Sequence, residues 1–127
     1  AKSNAKEVIC WGSGKPYREF LHVDDLADAC LFIMNNWCPE NKIFNNGNNL
    51  NYLNVGSGKD ITIKDLAEKV AEITNYKGEI IWDKTKPDGI PRKLLDISKI
   101  TSLGWVPKIS LSEGISREIN NFENQIL

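Results

Sequence analysis

The chain has 127 residues, with 16 Lys plus Arg against 17 Asp plus Glu, 41% hydrophobic and 26% charged residues. That composition fits one soluble globular domain, long enough to bury roughly two-thirds of the surface its unfolded form exposes. A formal charge of −1 leaves no basic footprint for nucleic acid or anionic lipid, and no apolar run approaches the ~20 residues of a membrane span.

The three cysteines, Cys10, Cys30 and Cys38, are odd in number and lack metal-ligand spacing. They point to a reducing, cytoplasmic setting and to no bound metal. The chain opens on the polar run Ala1–Lys6 with neither Met nor a signal peptide, which keeps open a place within a longer protein.

The first predicted element is a strand from Glu7 to Trp11, ended by Gly12-Ser13-Gly14. A second extended piece runs from Arg18 to Val23. Asp24 or Asp25 is then placed to N-cap a helix with Leu26, Ala29, Cys30, Ile33 and Trp37 on its apolar face, stopped by Pro39. Residues 41–51 hold six asparagines and Gly47 and read as a surface loop. Tyr52 to Val55 follows as a brief strand, broken by Gly56-Ser57-Gly58.

Thr62 and Asp65 have capping-box spacing ahead of a helix with the stripe Ile63, Leu66, Ala67, Val70 and Ile73. Lys77-Gly78 turns into a strand from Glu79 to Trp82, followed by a loop containing Pro87, Asp88, Gly89 and Pro91. Asp96 caps a short helix ending near Gly104. Ser110 and Glu113 form a second capping box, opening a helix with Leu111, Ile115, Ile119, Phe122 and Ile126 inward. Short strands alternating with three or four helices, and no linker or repeat, predict a single small α/β domain.

Two Gly-Ser-Gly-Lys segments, at 12–15 and 56–59, invite a phosphate-loop reading, but the spacing defeats it. Ile9 and Leu53 stand where the loop needs its first Gly, and Pro16 and Asp60 where it needs Ser or Thr. They read instead as tight turns after strands. There is no Gly-x-Gly-x-x-Gly and no Tyr-x-x-x-Lys pair, so the chain carries neither a dinucleotide fingerprint nor that proton-transfer pair. His22, the chain's one histidine, reads as a histidine bonded to loop backbone.

Arg18 beside a Gly-rich turn can present its planar fork to phosphate oxygens, or it can pair with Glu19 or Asp25. The loop Asp88-Gly89-Ile90-Pro91-Arg92-Lys93 can likewise set a carboxylate and cations around a ligand, or be a solvated turn. Of Trp11, Trp37, Trp82 and Trp105, only Trp11, at a strand end beside Gly12, is placed to stack on a ligand.

Residues 11–29, with Arg18-Glu19-Phe20 followed by Val23-Asp24-Asp25, resemble the nucleotide-sugar branch of the extended short-chain dehydrogenase/reductase superfamily. Residues 54–63, 86–96 and 103–111 are similar to the GDP-L-fucose synthase family within it. The resemblance covers most of the chain except its first residues and the Asn-rich 41–51 segment, which looks like an insertion and is assigned no role.

The resemblance implies a C-terminal substrate-binding domain spanning 1–127. The Rossmann half that binds NADPH, the Ser/Tyr/Lys set and the Cys/His epimerisation pair would all belong to chain upstream of these residues. His22 and Cys10 are therefore not that pair, and this chain alone is expected to be inactive. The resemblance further implies a GDP-sugar substrate and a parent homodimer. It places Trp11 near the sugar nucleotide, Arg18 on the diphosphate and Asp88 in a loop closing over the ligand, with Lys93 and Arg92 as further cations. Two rivals remain: another sugar-nucleotide epimerase or dehydratase, and a stand-alone, non-catalytic nucleotide-sugar-binding domain.

Overall fold

The computed structural model describes residues 5–40 and 52–126, the side chain of Ile126 excepted. The Asn-rich segment and the inward placement of Ile126 lie outside that set. In chain order the elements are β1 (Glu7–Trp11), β2 (Tyr17–Glu19), α1 (Val23–Asn36), β3 (Asp60–Thr62), α2 (Ile63–Ile73), β4 (Glu79–Asp83), β5 (Arg92–Lys93), α3 (Ser98–Ser102) and α4 (Leu111–Ile126). The expected α/β class, with four helices among short strands, is what these residues form. Among the described residues no helix is long and apolar enough to cross a membrane.

The chain divides into two compact units. The first takes the residues up to Arg18, Asp60–Lys93, and those from Ser110 onward. Here β1 and β4 pair in parallel from Glu7↔Glu79 to Trp11↔Asp83. The predicted bounds of β1 hold because its apolar run meets Gly12, whose positive φ of 84° turns the chain. The alternation of β1 turns Val8 and Cys10 toward the same apolar groove as Ile63, Leu66, Ala67 and Val70 of α2.

Thr62 caps α2 as expected, its Oγ1 accepting from the Asp65 N–H at 3.0 Å and donating to the Asp65 carboxylate at 2.6 Å. The α2 stripe is half-covered rather than buried. At the other predicted capping box, the Ser110 hydroxyl accepts from the Glu113 N–H, but the Glu113 carboxylate turns to Arg117 instead of reaching back. Phe122 is 61% exposed, against expectation, because α4 is longer than the α2 it packs on, 16 residues against 11.

Two strands were not foreseen, β3 and β5. Both lie beside β2, in the order β3-β2-β5, and β5 runs parallel to β2 with Tyr17 opposite Arg92 and Arg18 opposite Lys93. Neither has the length or apolar alternation that marks a strand locally.

The second unit comprises Leu94–Ile109 and the described part of Glu19–Lys59. Its core is Ala29, Ile100 and Trp105, with Leu21, Phe32, Ile33, Val55 and Ile97 packed around them. Burying a side chain the size of Ile100 contributes about 2 kcal/mol.

His22, not Asp24 or Asp25, is the N-cap of α1: its Nδ1 accepts the Asp24 N–H at 3.2 Å. Asp25 has another task. Only 2% exposed, it accepts the N–H groups of Lys108 and Ile109 at 3.1 and 2.9 Å. Two backbone donors offset the cost of burying that carboxylate. Drawing Asp25 inward rotates α1, so that Ala29, Phe32 and Ile33 face the core while Leu26 and Cys30 stay exposed.

Tyr52 to Val55 is not a strand. No described segment pairs with it, and the Asn54 side chain donates instead to the Asp96 carbonyl at 3.1 Å. The Asp96 carboxylate accepts the Ser98 N–H at 2.9 Å, one residue ahead of the true N-cap of α3, Ile97.

Candidate functional site

The site begins with the segment leaving β1. Gly12 donates its N–H to the Asp83 carbonyl, and Ser13 then donates twice to Asp88, from its N–H at 2.5 Å and its hydroxyl at 2.7 Å. The same Ser13 oxygen accepts the Lys15 N–H at 3.2 Å. A Cβ on Gly12 would lie 2.5 Å from the Asp88 Oδ1, so glycine is required there on steric as well as conformational grounds.

These contacts lay the loop between β4 and β5 alongside residues 11–18. Lys86 sits over the Trp11 ring at 5.4 Å, Asp88 grips Ser13, and Pro91 accepts the Tyr17 N–H at 2.8 Å. Gly89 lies under the Arg18 guanidinium, 3.8 Å from an added Cβ to Nη2. Two motifs 75 residues apart in sequence thus form one surface.

Strand alternation then sorts the cations. Arg92, beside Tyr17, faces one side of the sheet. It forms a forked pair with Asp60, its Nε and Nη2 at 2.5 and 3.2 Å from the carboxylate oxygens, and it lies over the Tyr17 ring. That pairing holds the Arg92 pKa above its ordinary value. Arg18 and Lys93, directly opposite each other in register, share the other side.

Neither Arg18 nor Lys93 has a carboxylate partner among the described residues. The bond the half-buried Arg18 side chain does make is from Nη1 to the Tyr17 carbonyl, at 2.6 Å. Its two candidate partners are committed elsewhere. Glu19 accepts the N–H groups of Gly58 and Leu95 at 2.6 and 3.0 Å, and Asp25 accepts those of Lys108 and Ile109. Two adjacent cations without a counter-charge repel each other, so the face favours an anion.

Trp11 stands 74% exposed at the end of β1, whereas Trp105 is buried and Trp37 and Trp82 are half-buried. Asp88 is held below the usual carboxylate range, first by the Ser13 N–H and then by the Ser13 hydroxyl. The structure thus brings Trp11, Arg18, Asp88 and Lys93 to one edge of the first unit and commits Arg92 elsewhere. Ser13 is the participant that sequence reasoning missed, since its role depends on a partner 75 residues away.

A dinucleotide cofactor does not fit these residues. In both Gly-Ser-Gly turns an N–H that could meet a phosphate already holds a carboxylate of the chain, Asp88 at Ser13 and Glu19 at Gly58. Neither turn opens directly into a helix.

The family profile of the NAD dependent epimerase/dehydratase family matches residues 1–47. GDP-L-fucose synthase 1 of Arabidopsis thaliana is 52% identical over 118 residues, which cover 92% of this chain and 33% of that protein. GDP-L-fucose synthase of Escherichia coli (strain K12) is 46% identical over 123 residues, 96% of this chain and 38% of that one. The chain therefore spans about a third of the length of these relatives. Among solved structures, a GDP-6-OMe-4-keto-L-xylo-heptose reductase from C. jejuni superposes with a TM-score of 0.82 at 38% identity, over 94% of this chain and 34% of that one. The α/β fold, the motifs and these relatives agree: residues 1–47 match the NAD dependent epimerase/dehydratase family, and the chain is similar along most of its length to extended short-chain dehydrogenase/reductases.

Proposed function

We propose that this chain is the C-terminal nucleotide-sugar-binding domain of a GDP-L-fucose synthase. The parent enzyme would convert GDP-4-keto-6-deoxy-D-mannose to GDP-L-fucose by epimerising C3 and C5 and reducing C4 with NADPH. The observation that carries the reading is the Arg18–Lys93 pair, two neighbouring cations without a described carboxylate, at the foot of the 86–91 loop. A diphosphate supplies the missing charge, and the planar Arg18 fork suits its oxygens. Trp11 offers an exposed ring for the sugar or base, and Asp88 closes the loop over the ligand.

The division of labour follows from the chemistry. Protons beside a ketone are removed and returned by positioned acid/base side chains, and the hydride comes from a nicotinamide. This chain holds no dinucleotide cradle and no Tyr-x-x-x-Lys pair, so its part is to hold the GDP end and present the sugar. Alone it turns nothing over. The parent would be a cytoplasmic homodimer.

The test is a calorimetric titration of the chain with GDP and with UDP. GDP is expected to bind, UDP more weakly, and Arg18→Ala is expected to lower GDP affinity about thirtyfold without moving the melting temperature. Unchanged GDP affinity in Arg18→Ala sinks the diphosphate assignment. Preference for UDP would instead favour an epimerase or dehydratase of another base.

A further inference from the structure

We infer that Ser13 and Asp88 form a latch that positions Arg18, and that Asp88 acts on a bound nucleotide sugar through this latch rather than by touching it. The inference rests on the nucleotide reading above and deepens it by giving Ser13 a role.

The geometry carries it. Both oxygens of the Asp88 carboxylate are engaged by one residue, Oδ1 by the Ser13 N–H and Oδ2 by the Ser13 hydroxyl. This two-pronged contact fixes the carboxylate's plane as well as its distance. The next residue, Gly89, has a φ of 74° and lies beneath the Arg18 guanidinium. Two residues further on, Pro91 accepts the N–H of Tyr17, the residue before Arg18. The short stretch 88–91 is therefore pinned at both ends, with the Arg18 Nη2 beside Gly89 in between, 3.8 Å from where a Cβ on that glycine would stand.

Releasing the Asp88 end frees the surface on which the guanidinium lies. Arg18 then has to be ordered at the moment of binding, and that entropy weakens the complex. Direct contact with ligand is the weaker role for Asp88. Both its oxygens are already taken by Ser13, and a carboxylate repels a diphosphate.

The test uses the 127-residue chain, GDP and guanosine as probes, and amide exchange by NMR. In Asp88→Ala the Ser13 N–H is expected to exchange at least about tenfold faster while the β1–β4 ladder stays protected, which shows the fold intact. GDP affinity is expected to fall about tenfold and guanosine affinity less than twofold, since the latch acts on the diphosphate contact alone. Ser13→Thr keeps the hydroxyl and is expected to retain both properties; Ser13→Ala is expected to lose about threefold in GDP affinity. In an Arg18→Ala background, Asp88→Ala is expected to cost nothing more.

The latch is overturned if Asp88→Ala leaves Ser13 exchange or GDP affinity unchanged. It is overturned equally if GDP and guanosine weaken together, or if the loss persists without Arg18. Failure of the nucleotide reading has a separate signature: Arg18→Ala leaves GDP affinity untouched while the Ser13 exchange result still judges the latch.

Discussion

The sequence Gly-Ser-Gly-Lys occurs at 12–15 and again at 56–59, and the two copies fold into related turns with different consequences. In each, the serine hydroxyl oxygen accepts the N–H of the following lysine, at 3.2 Å in the first and 3.4 Å in the second. In each, a carboxylate from a distant part of the chain docks on a turn N–H. The difference lies in what surrounds them. Asp88, docked on the first turn, brings a loop against two cations that have no described counter-charge. Glu19, docked on the second, joins that turn to Leu95 through backbone N–H groups. A short glycine motif sets a turn's shape, and the neighbours imported by long-range pairing decide whether the turn serves a ligand or only the fold.

This contrast is breakable in three ways. The largest effect is expected from Glu19→Ala, which strips the acceptor from the N–H groups of Gly58 and Leu95. Stability is expected to fall by about 2 kcal/mol, read from the urea midpoint at constant slope. GDP affinity of the folded protein should stay as it was. A loss of GDP affinity at full stability would mean that the second turn also serves the ligand.

A smaller effect separates the cations. Lys93→Ala is expected to weaken GDP binding about fivefold, because it removes one exposed charge beside the diphosphate. Lys59→Ala, at the lysine of the second turn, should change nothing. Equal effects in a titration would show that only net charge matters, and the contrast between the turns would collapse.

The finest probe is acid titration. Ser13 holds Asp88 below the usual carboxylate range, and the Ser98 N–H does the same for Asp96. With a depressed folded value, the unfolded chain binds more protons as pH falls. The stabilisation is therefore complete above the ordinary carboxylate range and is lost as pH drops through the folded value. Carboxyl NMR should show Asp88 in Ser13→Ala moving up toward the ordinary range, with Asp96 unmoved. Joint movement of the two would mean a global change rather than a released latch.

Features set by neighbours in sequence were legible from it. Gly12 ends β1 on schedule, and Thr62 caps α2 because both partners lie within one turn. His22 was seen as a backbone-bonding histidine but not as the cap, since Asp is the commoner cap and two follow at once. Tyr52 to Val55 has strand composition, yet a strand needs a ladder partner, which composition does not reveal. Trp11, Arg18, Asp88 and Lys93 could be named one by one. Their adjacency could not, because β5 is too short to announce itself and its register on β2 is a tertiary fact. Ser13 was hidden for the same reason.

The parallel pairings also bear on how this protein reaches its native state. β1 meets β4, β2 meets β5, and Ser13 meets Asp88 only across most of the chain's length. Each such meeting has to close a long loop before any contact rewards it, so folding is expected on the millisecond-to-second scale typical of high contact order. No early, locally folded intermediate can own a partial ligand site, because its two strips of sequence come together only when the sheet does. Nascent chains would acquire binding capacity in one late step, after Lys93 and the residues that pair with it are all available.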